Sequence, residues 1–396
     1  MPITVPPGVV PIRVLTTNEI LYGSRTTSYR WEILTHSAGA DRLVGFLDGV
    51  VDGSATLSWS LYAAVKGSGN LKVTDIVTPQ PGFMTIQQVS LTSARLRPVL
   101  IIEGLPEIPL GVFLISAAPE DWSDTGRILN LELLDRATVL DQDLMDVSYT
   151  VDTATPILSA VAAVVALAGE SMNVDATVTT LLSAPMVWPA GTSKLQIVND
   201  LLGALNYNSL WVDGVGIFQA TPYVVPANRS LFYEILNGVT RDLVDGATAI
   251  YSQQWSRDKD LFNVPNKVIA VQAATGTAAA LIGTYTNTDP LSPFSYPSRG
   301  NRWVTKVLAD VATPNGVDAV VIAFLQAKAQ ASLIASSAVQ AMVDVKHLPV
   351  PIRVSDVMRF GNVPAGIDAR HTVTSISLDA NPLGLMTTKL QVVLQL

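Results

Sequence analysis

The chain has 396 residues, 48% of them hydrophobic and 15% charged, so it can bury large cores and is not a disordered polymer. Its 25 Lys and Arg stand against 33 Asp and Glu, and the net charge of −8 argues against tight binding of nucleic-acid phosphates. Cysteine is absent, which removes disulfides, thiolate nucleophiles and cysteine-ligated metals.

That length exceeds one ordinary core, and two or three domains are expected. Mean hydropathy is +0.35, which raises the question of a membrane. The longest apolar stretch, Ile157 to Ala168, is about half of what a spanning helix needs. The run from Val320 to Val343 is interrupted by Gln326, Lys328, Gln330 and Gln340. The opening, Met1 to Pro7, has neither a basic nor an apolar leader region, so no signal peptide is expected. The apolar excess is expected in cores and between subunits, because obligate interfaces resemble cores.

Residues 1–148 read as a first β domain. Trp59 to Val65 and Leu71 to Asp75 look like a hairpin turning at Lys66 to Asn70. Arg95 to Ile102 and Leu110 to Ile115 follow as strands. Ile128 to Leu134 then alternates with period two, one face wet and one buried.

Residues 149–228 change period and predict a small α+β domain. Thr155-Pro156 suggests a cap and a first-turn proline. Ile157, Leu158, Val161, Val164 and Val165 fall on one helical face, and Gly169 ends that helix. Ser193 and Gln196 have capping-box spacing before the stripe Leu195, Val198, Leu201, Leu202, Leu205. Asp213-Gly214 turns a hairpin between Ser209–Val212 and Gly216–Ala220, on which Leu201 and Leu205 should pack.

Residues 229–396 return to β, with one helical insertion at about 316–342 carrying Val317, Val320, Phe324, Ala327, Ala331 and Ile334 on its apolar face. Strands are expected around it at Val268–Gln272, Trp303–Leu308, Val357–Phe360, Val373–Leu378 and Lys389–Leu396. Trp59-Ser60 recurs as Trp255-Ser256, each upstream of a Lys-Val strand (Lys72-Val73, Lys267-Val268), and each β region ends in a long hairpin. An internal duplication is therefore expected.

Residues capable of chemistry are scattered. His36, His347 and His371 have no second ligand at metal spacing; His371, in an alternating strand, reads as a surface residue. The clusters Asp141, Asp143, Asp146 and Glu120, Asp121, Asp124 read as solvated loops rather than a glycosidase pair or a calcium loop. Gly67-Ser68-Gly69-Asn70 reads as a hairpin turn, without the helix that would aim amides at a phosphate. Trp59, Trp211, Trp255 and Trp303 are expected in strand cores, and Trp122 and Trp188 in loops with surface contacts. No catalytic, metal-binding or cofactor-binding residue is assigned.

Several motifs, in order and spacing, resemble the baseplate hub or tail-associated (Tal-like) minor tail proteins of siphophages that infect actinobacteria. They are Leu47-Asp48-Gly49-Val50 with Lys66-Gly67-Ser68-Gly69, Ala94-Arg95-Leu96-Arg97-Pro98, and Pro109-Leu110-Gly111-Val112-Phe113. Pro189 to Lys194 and Leu210-Trp211-Val212-Asp213-Gly214 follow. Asn263 to Val268, Ser292 to Tyr296 and His347-Leu348-Pro349-Val350-Pro351 complete the set. The resemblance implies two tail-tube-like β-barrel domains with the α+β insert on the outside of a ring. It implies a homotrimer joining a sixfold tail tube to a threefold tip, located at the virion tail tip after assembly in the host cytoplasm. Implied partners are the distal tail protein ring, the tape measure protein and other tail-tip or fibre proteins. DNA would transit the channel without tight binding, and no membrane span or cofactor is implied. Many relatives carry a C-terminal fibre or peptidase extension, whereas Leu396 follows directly on the last expected strand; a structural, non-enzymatic role is expected. Two other classes of function fit the composition: a carbohydrate-binding tail-tip module, which would need an exposed aromatic platform, and a cell-wall hydrolase, which would need a carboxylate pair across a cleft.

Overall fold

The computed structural model describes residues 17–393 apart from 38, 76–80, 125, 176, 238–248, 259–263, 274–278 and 339–341. The opening residues Met1 to Pro7, Asn263 and the end of the last strand beyond 393 lie outside these.

A short helix α1 (Thr17–Tyr22) precedes the hairpin of β1 (Thr27–Ser37) and β2 (Ala40–Leu47). β3 (Thr56–Ser60) and β4 (Gly67–Thr74) form the next hairpin, and β5 (Phe83–Met84) lies on β2. β6 (Ala94–Ile102), β7 (Ile108–Pro109), β8 (Phe113–Ala117), β9 (Glu120–Ser123) and β10 (Gly126–Asp135) complete the first β region. In β10 the period-two pattern does what it should: Leu129, Leu131 and Leu133 are buried while Glu132 is exposed.

The β3–β4 turn lies at Leu61–Lys66, and the glycine-rich segment read as a turn is the start of β4. Its glycines are there for space. A Cβ on Gly67 would stand 2.9 Å from the Asp135 Cβ, and one on Gly69 2.8 Å from the Thr56 carbonyl oxygen. Close approach, not chain reversal, selects glycine here.

After α2 (Thr138–Gln142), the α+β unit contains β11 (Tyr149–Val151), α3 (Ile157–Leu167), β12 (Met186–Trp188), α4 (Lys194–Ala204), β13 (Trp211–Val212) and β14 (Phe218–Gln219). All five apolar residues assigned to the α3 face are buried, and Gly169 takes the left-handed backbone (φ 72°) that ends the helix. The α3 cap is Pro156 rather than Thr155, whose hydroxyl bonds Asp152 instead. Ser193 caps α4 by accepting from the Gln196 amide at 3.2 Å, but the Gln196 side chain reaches forward to Asp200, so only half of the capping box forms. Leu201 is fully buried in one core cluster with Leu210 and Phe218 of the hairpin, as expected; Trp211 is not part of that cluster.

The second β region comprises β15 (Leu231–Asn237), β16 (Tyr251–Asp258) and, after an excursion, β20 (Met342–His347), β21 (Val357–Asn362), β22 (Ile367–Asp379) and β23 (Met386–Val392). The excursion is β17 (Lys267–Gln272), β18 (Ile282–Thr286), β19 (Thr305–Val311) and α5 (Asp318–Ala338). The helix therefore brings its own three-stranded sheet, ordered β18-β17-β19. Val321, Leu325, Ala329 and Leu333 pack α5 onto Val268 and Ala270. Residues Asp318–Ser336 are long and apolar enough, by length and composition alone, to cross a membrane. That differs from the expectation for this stretch, because Gln and Lys interrupt the run without lowering its mean hydropathy enough. Here one face of α5 lies on a sheet.

The fold is mainly β, and one sheet joins the two β regions in the order β16-β20-β23-β22-β3-β4-β10-β8-β6-β1-β2-β5, with β15-β21 branching from β22. β22 pairs β3 antiparallel, with Ser377 opposite Ser58 and Leu378 opposite Leu57. A single hydrophobic core runs beneath both regions.

Each region repeats one strand order. The first runs β1-β6-β8-β10-β4-β3 and the second β15-β21-β22-β23-β20-β16, the strands entering in the same chain sequence. Even the irregularities coincide: Ser116 is the extra residue of a bulge between β8 and β10, and Thr374 of one between β22 and β23. One pairing differs, β1 being antiparallel to β6 and β15 parallel to β21. The register equates Thr56 with Ser256 through their partners Asn70 and Asp344, so Trp59 and Trp255 lie on matching strands four residues out of step. The Lys-Val match at Lys267 falls in the separate sheet; the true counterpart of β4 is β20.

Candidate functional site: the joint between the β regions and the α+β unit

The motifs singled out in the sequence converge. Gly111 donates its amide to the Gly214 carbonyl at 3.0 Å, so the Pro109–Phe113 segment meets the Trp211–Gly214 turn. The fit leaves no room: a Cβ on Gly214 would come 2.1 Å from the Pro109 carbonyl oxygen, and one on Gly216 2.6 Å from Val112. Between this contact and the Val350–Asp356 loop lies a cavity of about 350 Å³, walled by Trp59, Asp135, Trp211, Arg353, Ile376 and Met386. The Arg353 guanidinium sits over the Trp211 ring at 5.5 Å.

The ionisable groups in its wall are tied into the backbone. Lys66 donates to the Leu61 carbonyl at 2.9 Å and to the Ser209 hydroxyl at 2.8 Å, and burial pulls its ammonium below the usual lysine range. Asp135 accepts from the Gly67 amide at 2.6 Å and the Ala137 amide at 2.8 Å; burial nevertheless pushes it up to about 6.

A second contact lies beside it. Arg95 on β6 bonds Glu170 at 2.6 Å and Asp41 at 3.1 Å. Arg136 bonds Asp41 at 2.8 Å, Glu170 through Nε at 2.9 Å, and the Gly216 carbonyl at 2.6 Å. His36 closes the ring with Nδ1 2.7 Å from Asp41. The Glu170 side chain is 1% exposed and the two arginines 8% and 5%. Two guanidinium and two carboxylate charges thus compensate each other where Glu170, three residues past the end of α3, meets the first β region. Sequence inspection missed this cluster. The available signal was arginine inside strand β6, which is buried on both faces and so obliges a partner.

The other candidates fall as follows. His347 and His371 are both 1% exposed, so His371 is no surface residue. Alternation puts it on the core side, at the position Phe113 holds in the first region. Burial pushes both imidazoles down to about 4. His347 bonds the Leu348 carbonyl and the Thr388 hydroxyl, each at 2.7 Å, and His371 the Ala369 carbonyl at 2.8 Å. Glu120 and Asp121 lie on strand β9, not in a loop, bonded to Arg127 and Asn130 at 2.9 and 2.8 Å. Asp141 is in helix α2, and Asp143 pairs with Lys194. Among the described residues no group of three or more His, Asp or Glu is placed to hold a metal ion. Trp122 is 71% exposed, but on a strand; Trp188 is buried, its indole bonded to Asp200 at 2.8 Å. Trp303 precedes β19, 40% exposed and stacked on Tyr296, not in a strand core.

In known structures this fold recurs over nearly the whole chain. A tail protein from Neisseria meningitidis superposes with a TM-score of 0.60 at 14% identity, covering 92% of this chain and 96% of its own. The fold is that of phage tail proteins. A 43 kDa tail protein of prophage MuSo2 from Shewanella oneidensis gives 0.54 at 12% identity, covering 91% and 98%. Prophage tail protein gp18 from Listeria monocytogenes gives 0.53 at 12%, covering 91% and 94%. No family model matches the sequence, and no curated protein sequence matches it.

Proposed function

We propose that this chain is the structural baseplate hub of a phage tail tip, three copies closing a ring through which DNA leaves. The observation that carries this is the repeated strand order. One chain holds two equivalent β units fused in one sheet, so three chains would offer six units to a sixfold tube and keep threefold symmetry on the other side. The likeness to phage tail proteins supports a virion tail location and a non-enzymatic role. In the same proposal residues 1–148 and 229–396 form the two tube-like units, and 149–228 sits outside the ring. The neighbours would be the distal tail ring, the tape measure protein and fibre proteins. The channel wall is acidic or neutral, since basic side chains in series would hold the phosphates, and the net charge of −8 agrees in sign.

Native mass spectrometry of the purified chain, with cryo-EM of the tail tip, tests the reading. A trimer with no continuous Lys/Arg belt on its inner wall is expected; a stable monomer or a true hexamer of chains would overturn it.

A further inference from the structure

Quasi-symmetry within the chain leaves one junction made and one unmade. β3, the last strand of the first unit, pairs with the second half of β22. Its counterpart β16 ends the sheet, pairing only β20 among the described residues. The counterpart of the β22 segment is Ala117–Trp122, running from β8 into β9. Among the described residues these two strands are hydrogen-bonded to β10, and β8 touches β6 only through Phe113 and Leu114. The shared bulges fix the register, so Ala117, Glu120, Asp121 and Trp122 correspond to Ser375, Leu378, Asp379 and Ala380.

We propose that β16 of one copy adds antiparallel to the β8–β9 edge of a second copy, repeating between chains the β3–β22 junction made within each. Three features of the edge fit. Thr374 accepts from the Leu61 amide and Ala380 donates to the Ala55 carbonyl, so even-numbered residues of β22 face β3. The matching outward residues are Ala118, Glu120 and Trp122, while Pro119, which lacks an amide hydrogen, belongs to the inward set: its carbonyl accepts from Asn130. Charge is complementary, since the Leu57–Leu378 pair becomes Arg257 opposite Glu120, side by side on one face. Finally, the Ala55–Ala380 contact becomes Trp255 against Trp122, which accounts for an indole left 71% exposed. Within one chain the two edges are separated by six strands, roughly 30 Å of sheet. The contact is head-to-tail, so it propagates until the rotation closes.

The inference deepens the ring reading and rests on it only for the number of copies. The chain has no cysteine, so engineered thiols report cleanly. Asp121 and Ser256 would face each other in a non-hydrogen-bonded pair, where Cα atoms approach to about 4.5 Å, within disulfide range. The full chain carrying Asp121→Cys and Ser256→Cys is oxidised and run on a non-reducing gel, with Thr56→Cys/Asp379→Cys as the within-chain control. Disulfide-linked multimers from the double variant, none from either single variant, and dimers alone from mixed single variants are expected. A trimer by native mass without this cross-link overturns the pairing and spares the ring. An open ladder of linked chains upholds the pairing and overturns closure at three. A 121–256 disulfide within one chain, or persistent monomer while the control links, overturns the pairing.

Discussion

The two β units share a strand order and a bulge, yet they use corresponding positions for opposite chemistry. Where the first unit has Arg95, the second has Val357; where the first has Phe113, the second has His371. In the first unit the buried Arg95, Arg136 and Asp41 help to hold the α+β unit, the two arginines through its Glu170. The second keeps buried histidines neutral inside its own sheet. Strand order is therefore set by pairing and alternation, which tolerate many side chains, while the attachment of a neighbouring unit depends on a few ionic residues confined to one copy of the repeat.

Three measurements would break or sharpen that contrast. Glu170→Ala should have the largest effect, because it leaves two buried guanidinium groups, Arg95 and Arg136, to share the single carboxylate of Asp41. Breaking a buried pair in this way costs about 3–5 kcal/mol, read by denaturant unfolding; a change near zero would mean that the cluster does not hold the α+β unit. Next is Leu201→Ala inside that unit, where a fully buried leucine is replaced, at a cost of about 2–5 kcal/mol. A wild-type unfolding midpoint would refute the packing of α4 on the Leu210–Phe218 hairpin.

The smallest effect is a pH dependence carried by the second unit. A folded-state value of about 4, below the ordinary 6.5, means the native fold prefers neutral His347 and His371. Their contribution is full above pH 6.5 and is lost as the pH falls from 6.5 toward 4, on the order of 2 kcal/mol per histidine by pH 5. His371→Phe, which installs the residue found at the matching place in the first unit, should flatten the stability profile between pH 7.5 and 5. An unchanged profile would show that His371 does not titrate with folding. Asp135, raised to about 6 in the first unit, works in the opposite sense: it favours the fold below the ordinary 3.8 and loses that contribution as the pH rises through 6.

Much of this was legible from residues alone. The α3 and α4 stripes and Gly169 follow from helical period and capping, and the β10 alternation marked its buried leucines. The motif segments also gave the joint its walls before their contact was known. What stayed hidden depends on partners distant in sequence. Gly67 and Gly69 look like a turn until Asp135 and Thr56 are seen pressing on them. Alternation gives His371 a face but not which face is the core. Trp188 belongs to a strand of three residues, too short to show a period, and its partner Asp200 lies on the next helix. The match of Trp59 to Trp255 found the right strands, but the excursion after Asp258 drew the following Lys-Val match into a different sheet.

That excursion leaves and re-enters the large sheet at Asp258 and Met342, which are direct register partners on adjacent strands. In the first unit the same two strands are linked by only Leu61–Lys66. Whatever is threaded between them need not disturb the ladder on either side, because both of its ends emerge at one point. The ladder therefore sets no limit on the length of what joins these two strands, and an inserted module answers only to its own contacts, such as the bonds from Ser183 and Gln391 to Thr313 and Ala335.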